Sequence, residues 1–460
     1  MTDPPRQLTL GQWDLRYRQL EQAGMTQPSY GGPLSRHLAE GDLRLARLRY
    51  DDSPAALRLW NFLLTEEDRL HEARSHGKKI VGTMKDLGTI PVMADAIDNV
   101  VAFYPDGAWW SPCVMENSTG LLEIADSMGI DESFCPVRAM IGAFVTGHHF
   151  PIPDLLTCSV GATCDDFSAI AQRLEDLGHP ILWWEVPHRR HPDQGEASIQ
   201  LPGGCLAPKT QVDLVRSELL RVKGAIEDLA GEPLDEPRLR SGIAKANRIR
   251  SCLAELRDLA YTARPCPMPA LEMLIAEMLA IHFCSDREEC LGVLEALLAE
   301  VKARVRAGVG LLDADAARVF WVNPVADLRV MNLLEACGAR VCGTEYLFTH
   351  ALDLISEDRA PMDALAATAL ADPMVGSADD RAMRIEREIR RFGAEAVVVS
   401  RIPGASHCVW EGWVIQDVLG DRCPVPVLEI EVPSVADAVT PELRTRLEAI
   451  VETVHQRRTR

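Results

Sequence analysis

The stretch at residues 154–186, DLLTCSVGATCDDFSAIAQRLEDLGHPILWWEV, decides the fold. DLLTCS (154–159) is a short apolar strand, and PILWWEV (180–186) is another. Between them, DDFSAIAQRLEDLG carries its apolar residues at helical spacing. Strand, helix and strand in succession, with near-continuous apolar strands, are the unit of a parallel sheet covered by helices.

The same alternation extends outward. KKIVGTM (78–84) and NVVAFY (99–104) are two further strands on the N-terminal side. Residues 1–76 are helical in pattern, and PAALRLWNFLLTEEDRLHEARSHG (54–77) is predicted as a helix stopped by Gly77. Residues 187–207 are predicted as a loop rich in Pro, Gly and His. From Lys209, Val212, Val215, Leu219, Val222, Ile226 and Leu229 recur at three and four residues and mark one face of a helix. Helical character continues to about Arg306, with breaks at 231–237 and 265–269. A second α/β block follows, with strands ARVFWVNP, RVCGTE, EAVVVSRI and PVPVLEIEV. It also has a helix, ADLRVMNLLEACG, closed by Gly338, and a last helix over 441–454. The expected architecture is α/β: two Rossmann-like (flavodoxin-like) parallel-sheet domains joined by a helical segment, with an N-terminal helical extension. The expected boundaries are 1–76, 77–207, 208–312 and 313–460. No short-period internal repeat is visible.

Composition narrows the function. The 460 residues fit several domains, and 47% hydrophobic with 25% charged residues is ordinary for a globular protein. Acidic residues outnumber basic ones, 68 to 48, for a net charge of −20, which argues against a general nucleic-acid binder. No apolar run approaches the ~18 residues of a membrane span, and the N-terminus MTDPPRQLTLGQWD lacks a signal-peptide pattern. A cytoplasmic location is expected. There is no P-loop and no G-x-S-x-G elbow. Gly308-Val309-Gly310 precedes the strand that a dinucleotide fingerprint should follow. His188 and His191, and the pair His148–His149, are read as surface-loop histidines rather than zinc ligands.

Thirteen cysteines, an odd number with no C-x-x-C, exclude zinc ribbons and ferredoxin-type runs. Most are read as small buried apolar residues. Three share a distinctive position. Cys135 precedes Pro136, a favoured first helical residue; Cys164 precedes Asp165 and Asp166 in a first helical turn; Cys408 follows the strand EAVVVS at the mouth of the next helix. Strand-end, helix-start positions are where parallel α/β domains bind ligands. Helix N-termini favour thiolates and anionic ligands, so an iron–sulfur cluster held by three thiolates in an interdomain cleft is one reading. Such a cluster leaves one iron open to substrate or water. Plain core cysteines are the other reading.

At these residues the chain resembles the 2-hydroxyacyl-CoA dehydratase and benzoyl-CoA reductase family. The resemblance is carried by Lys79–Thr83, Cys135-Pro136-Val137-Arg138 through Gly142, Pro151-Ile152-Pro153-Asp154, Thr163-Cys164-Asp165 and His407-Cys408, and it covers about residues 77–432. Glu429-Ile430-Glu431 departs from the family's pattern after the last strand, and Trp109–Trp110 and Trp183–Trp184 have no place in it. The resemblance implies a 4Fe–4S cluster on Cys135, Cys164 and Cys408. It also implies a related second subunit or a homodimer, a separate ATP-dependent iron–sulfur activator, and an acyl-CoA substrate. In the dehydratases the thioester carbonyl becomes a ketyl radical; the reductases reduce an aromatic ring. Nucleic-acid and membrane partners are not expected, and no catalytic acid or base is identified. A double-cubane-cluster reductase of small molecules, working as a homodimer and using spare cysteines such as Cys113, Cys158, Cys337 and Cys342, is the alternative. A non-catalytic accessory protein is a third reading. Glu116, Asn117 and Ser159 are candidate polar neighbours of the site, or simply loop and capping residues.

Overall fold

The fold, from a computed structural model, is described for residues 4–40, 43–86, 88–107, 119–162, 164–281, 285–434 and 437–460, excepting the side chains of 39, 40, 43, 119 and 407–410. The N-terminal segment pairs strand β1 (Gln7–Thr9) antiparallel with β2 (Arg49–Asp51). Thr9 opens the helix Leu10–Gln22 with a reciprocal capping box to Gln12. The helix predicted over 54–77 is two, Pro54–Leu64 and Glu66–Ser75. Thr65 breaks it: its hydroxyl donates back to the Asn61 carbonyl at 2.6 Å, and Glu66, Glu67 and Asp68 favour a new helix N-terminus.

The first sheet contains β3 (Lys79–Met84), β4 (Val100–Phe103), β5 (Leu155–Gly161) and β6 (Ile181–Val186), all parallel in the order β4-β3-β5-β6. The segment predicted as a loop holds a small hairpin, β7 (Ser198–Gln200) with β8 (Leu206–Pro208). Its three-residue strands are too short to show a pattern of period two. The helices Lys209–Ala230, Glu236–Thr262, Ala270–Met278 and Arg287–Ala307 follow. In the first of these, Val212, Val215, Leu219, Val222 and Ile226 are all buried, as their spacing requires.

The second sheet contains β9 (Ala317–Val322), β10 (Ala339–Glu345), β11 (Ala396–Arg401) and β12 (Val427–Glu431), parallel in the order β10-β9-β11-β12. The protein is therefore α/β with two four-stranded parallel sheets of one topology. In each, the chain reverses direction across the sheet between the first and third strands. A ligand crevice opens there, beyond the strands' C-terminal ends.

The duplication reaches single residues. Lys85 follows β3 with φ +55°, and Asn323 follows β9 with φ +74°, both in the left-handed region. Each is clasped to the third strand of its sheet. Ser159 Oγ donates to the Lys85 carbonyl at 2.5 Å, and Asn323 Nδ2 donates to the Ser400 carbonyl at 2.8 Å. Tyr104 and Tyr346 likewise follow the second strands of the two sheets.

Candidate functional site

The two crevices face each other across one cleft with a cavity volume of about 120 Å³. Lys85, Tyr104, Asp106, Cys135, Cys164 and Asp166 line it from the first sheet's strand ends. Val325, Tyr346, Phe348, Ile402, Ala405 and Ser406 line it from the second, and Leu274 and Met278 of the helix Ala270–Met278 close one wall.

Cys135 and Cys164 come together in this cleft. Cys135 is half-buried and precedes a single 3₁₀ turn, Pro136–Arg138, that leads into the helix Ala139–Thr146. That helix packs closely on the helix Thr119–Ser127: a Cβ on Gly142 would collide with the Leu121 backbone, so only glycine fits. Cys164 is buried and is the N-cap residue of the helix Asp165–Asp176. Its Sγ donates to Asp166 Oδ2 at 3.7 Å. Burial pushes the Cys164 thiol up to about 11, Asp166 adds to the rise, and the Lys85 ammonium offsets part of it. Cys158, deeper in β5, is pushed higher still by its own burial.

Cys408 is the third residue of the helix Ser406–Arg422, one step further in than a position at the helix mouth. Its side chain lies outside the described residues, but the start of its helix is fixed by two contacts with the first domain. Ser406 Oγ donates to Asp166 Oδ2 at 3.3 Å. Gly404, at φ +80°, brings its backbone so close to the Phe134 carbonyl that a Cβ there would overlap it. The loop before Cys408 thus touches the loop before Cys135, and the helix of Cys408 touches the helix of Cys164. A third restraint is Arg381, fully buried, whose guanidinium binds Glu411 on the Cys408 helix and Glu345 at the end of β10, both at 2.6 Å.

The donor chemistry suits a thiolate-bound cluster. Thiols are soft ligands that lose their proton on coordination, and Cys164 stands at the N-cap of the helix Asp165–Asp176. Among the described residues, no group of three or more His, Cys, Asp or Glu side chains is arranged to hold a metal ion.

A family model for the 2-hydroxyglutaryl-CoA dehydratase D-component matches residues 93–454. The chain belongs to that family. No curated protein is detectably similar to it. Membership makes this a 2-hydroxyacyl-CoA dehydratase-type subunit, one component of an enzyme that works with others. Among the described residues, no helix is long and apolar enough to cross a membrane.

Within this dehydratase-type fold the other predicted positions are scattered. Cys113, Glu116, Asn117 and Trp109–Trp110 lie outside the described residues. Ser159 is buried beneath the cleft as the partner of Lys85. Cys252 and Cys290 are buried on the bridging helices, and Cys337 and Cys342 flank or lie in β10, none of them lining the cleft. The residues not anticipated are Lys85, Asp106, Asp166, Asp372 and Ser406. Lys85 is a buried ammonium paired with buried Asp372 at 3.4 Å. Burial raises the Asp372 carboxyl, but Lys85, His350 and the Met374 backbone N–H together more than reverse this and hold it below its ordinary value. Behind them, burial drives the His350 imidazole down to about 4. A charged residue directly after an apolar first strand was the one available signal for Lys85.

Proposed function

We propose that this dehydratase-family chain is a cluster-bearing subunit, with a 4Fe–4S cluster on Cys135, Cys164 and Cys408 and a CoA thioester as substrate. The observation that carries the reading is the convergence of Cys135 and Cys164 in one cleft that Ser406, two residues before Cys408, also lines. The cluster, when bound, supplies one-electron chemistry. The chain's own residues do the rest. Cys164 gives up a proton on loading, Asp166 holds the two cysteine-bearing helices together, and the apolar wall formed by Leu274, Met278, Val325 and Phe348 excludes water. The sequence offers no phosphate-cradling loop, so the ATP-dependent electron donor is a separate protein. A related second subunit or a second copy of this chain completes the enzyme, which is expected in the cytoplasm. The working domains are residues 1–76, 77–207, 208–312 and 313–460.

A single cubane is preferred to a double one. Of the spare cysteines in the described residues, none lines the cleft beside Cys135 and Cys164. The test is electron paramagnetic resonance of the reduced protein, titrated with a panel of acyl-CoA thioesters. A signal that changes with one of them is expected. One that stays unchanged across the panel, in a fully loaded protein, would remove the substrate from the cluster's neighbourhood. The purified chain alone is expected to hydrolyse no ATP, and turnover without any activator would overturn the separate-donor reading.

A further inference from the structure

The family's name refers to a glutaryl substrate, whose acyl chain ends in a second carboxylate. The cleft of this chain is built for something else. Much of its lining is apolar: Phe167, Leu274, Met278, Val325, Phe348 and Ile402 all face the space. Lys85 is the only basic side chain among the described lining residues, and its ammonium is already committed to Asp372 at 3.4 Å. The remaining charges that face the space are acidic. Asp106 stands after β4, and Asp166 begins the Cys164 helix. From the helix Ala270–Met278, Glu277 is fully buried and turned to Arg257, Tyr261 and Thr344. His350 is fully buried near Asp372, and burial holds its imidazole well below the ordinary histidine value. None of the residues beyond those described is a lysine or arginine.

A terminal carboxylate entering this cleft would lose its water, meet no uncommitted cation, and stand beside two aspartates. An uncharged chain would gain apolar contact instead. Resting on the acyl-CoA reading above, we infer that this protein takes CoA thioesters with an uncharged, apolar acyl chain and rejects dicarboxylic ones.

The test is equilibrium binding of unreactive thioesters to the anaerobically purified, cluster-loaded protein. Pentanoyl-CoA and glutaryl-CoA match in length and differ in a terminal methyl against a carboxylate; free CoA is the reference. Pentanoyl-CoA is expected to bind at least tenfold more tightly than glutaryl-CoA. Asp106→Asn, which removes one negative charge at constant shape, is expected to narrow that gap by strengthening glutaryl-CoA alone. Glutaryl-CoA binding as tightly as pentanoyl-CoA, or more so, overturns the inference and leaves the acyl-CoA reading standing. If neither thioester binds more tightly than free CoA, the acyl-CoA reading itself falls, and the inference with it.

Discussion

Ser406 Oγ donates a hydrogen bond to Asp166 Oδ2 at 3.3 Å, joining the second domain to the first at the starts of two cysteine-bearing helices. Asp166 also accepts from the Cys164 thiol, so one buried carboxylate organises both sides of the cleft. Removing the Ser406 hydroxyl leaves Asp166 one donor short. Ser406→Ala is expected to cost about 1 kcal/mol of stability, and a double-mutant cycle with Asp166→Ala should return a coupling of about that size. Denaturant titration of the four proteins measures it; a coupling near zero would mean that the two helices are held together by other contacts.

Gly404 tests the same junction through the backbone. Its φ of +80° disfavours any side chain, and a Cβ would overlap the Phe134 carbonyl. Gly404→Ala is expected to cost about 1–3 kcal/mol and to lower iron content by pushing the Cys408 loop away from the Cys135 loop. Gly178→Ala is the control, because Gly178 also has positive φ, at +92°, but has open space around it. It should lose stability and keep its iron. Equal iron in both variants would show that the Gly404 contact does not position the site.

Arg381 is a buried cation between two carboxylates, Glu345 and Glu411. Arg381→Met is expected to destabilise the protein by about 3–5 kcal/mol, because the partners of a broken buried pair keep their desolvation cost. The midpoint of chemical denaturation reads this directly. A loss below about 1 kcal/mol would mean that the two carboxylates find new partners or water.

Stability should fall as pH rises toward 8. Burial, with the nearby Asp51 charge adding to it, pushes the Glu272 carboxyl up to about 8, so the folded protein keeps a proton that the unfolded chain releases at ordinary carboxylate pH. Its contribution is complete below the unfolded value and is lost as pH climbs through the folded one, at up to about 1.4 kcal/mol per pH unit. Glu335, raised to about 7 chiefly by burial, acts in the same direction. His350, lowered to about 4, opposes them only between its folded value and the ordinary histidine range. Glu272→Gln keeps the acceptor for Trp60 Nε1 and the Asp51 amide, and Oε2 has no partner to lose. The variant is expected to match the parent near pH 5 and exceed it at pH 8.5. Parallel pH curves for the two proteins would refute the assignment.

Much of this fold could be read locally. The strand–helix–strand unit at 154–186 and the buried face of Lys209–Ala230 follow from spacing alone, because burial of one face imposes its period on the sequence. The break at Thr65 could not, since it depends on a hydroxyl bonding its own helix rather than on apolar spacing. Position between strand end and helix start singled out Cys135 and Cys164. The same logic gave no hold on Lys85, whose meaning comes from Asp372, 287 residues away in sequence. The matched topology of the two sheets was also hidden, because it resides in strand order and in clasps made by different residues, Lys85 with Ser159 and Asn323 with Ser400.

The central claim is that three cysteines hold one cluster, and iron content tests it most directly. Iron and sulfide are measured per chain in anaerobically purified protein, and in Cys135→Ser, Cys164→Ser and Cys408→Ser, with Cys252→Ser and Cys290→Ser as controls on the bridging helices. About four iron atoms per chain are expected in the parent and both controls, and lost or damaged clusters in each of the other three variants. A colourless, iron-free parent, about eight irons per chain, or undiminished iron in the three variants would contradict it.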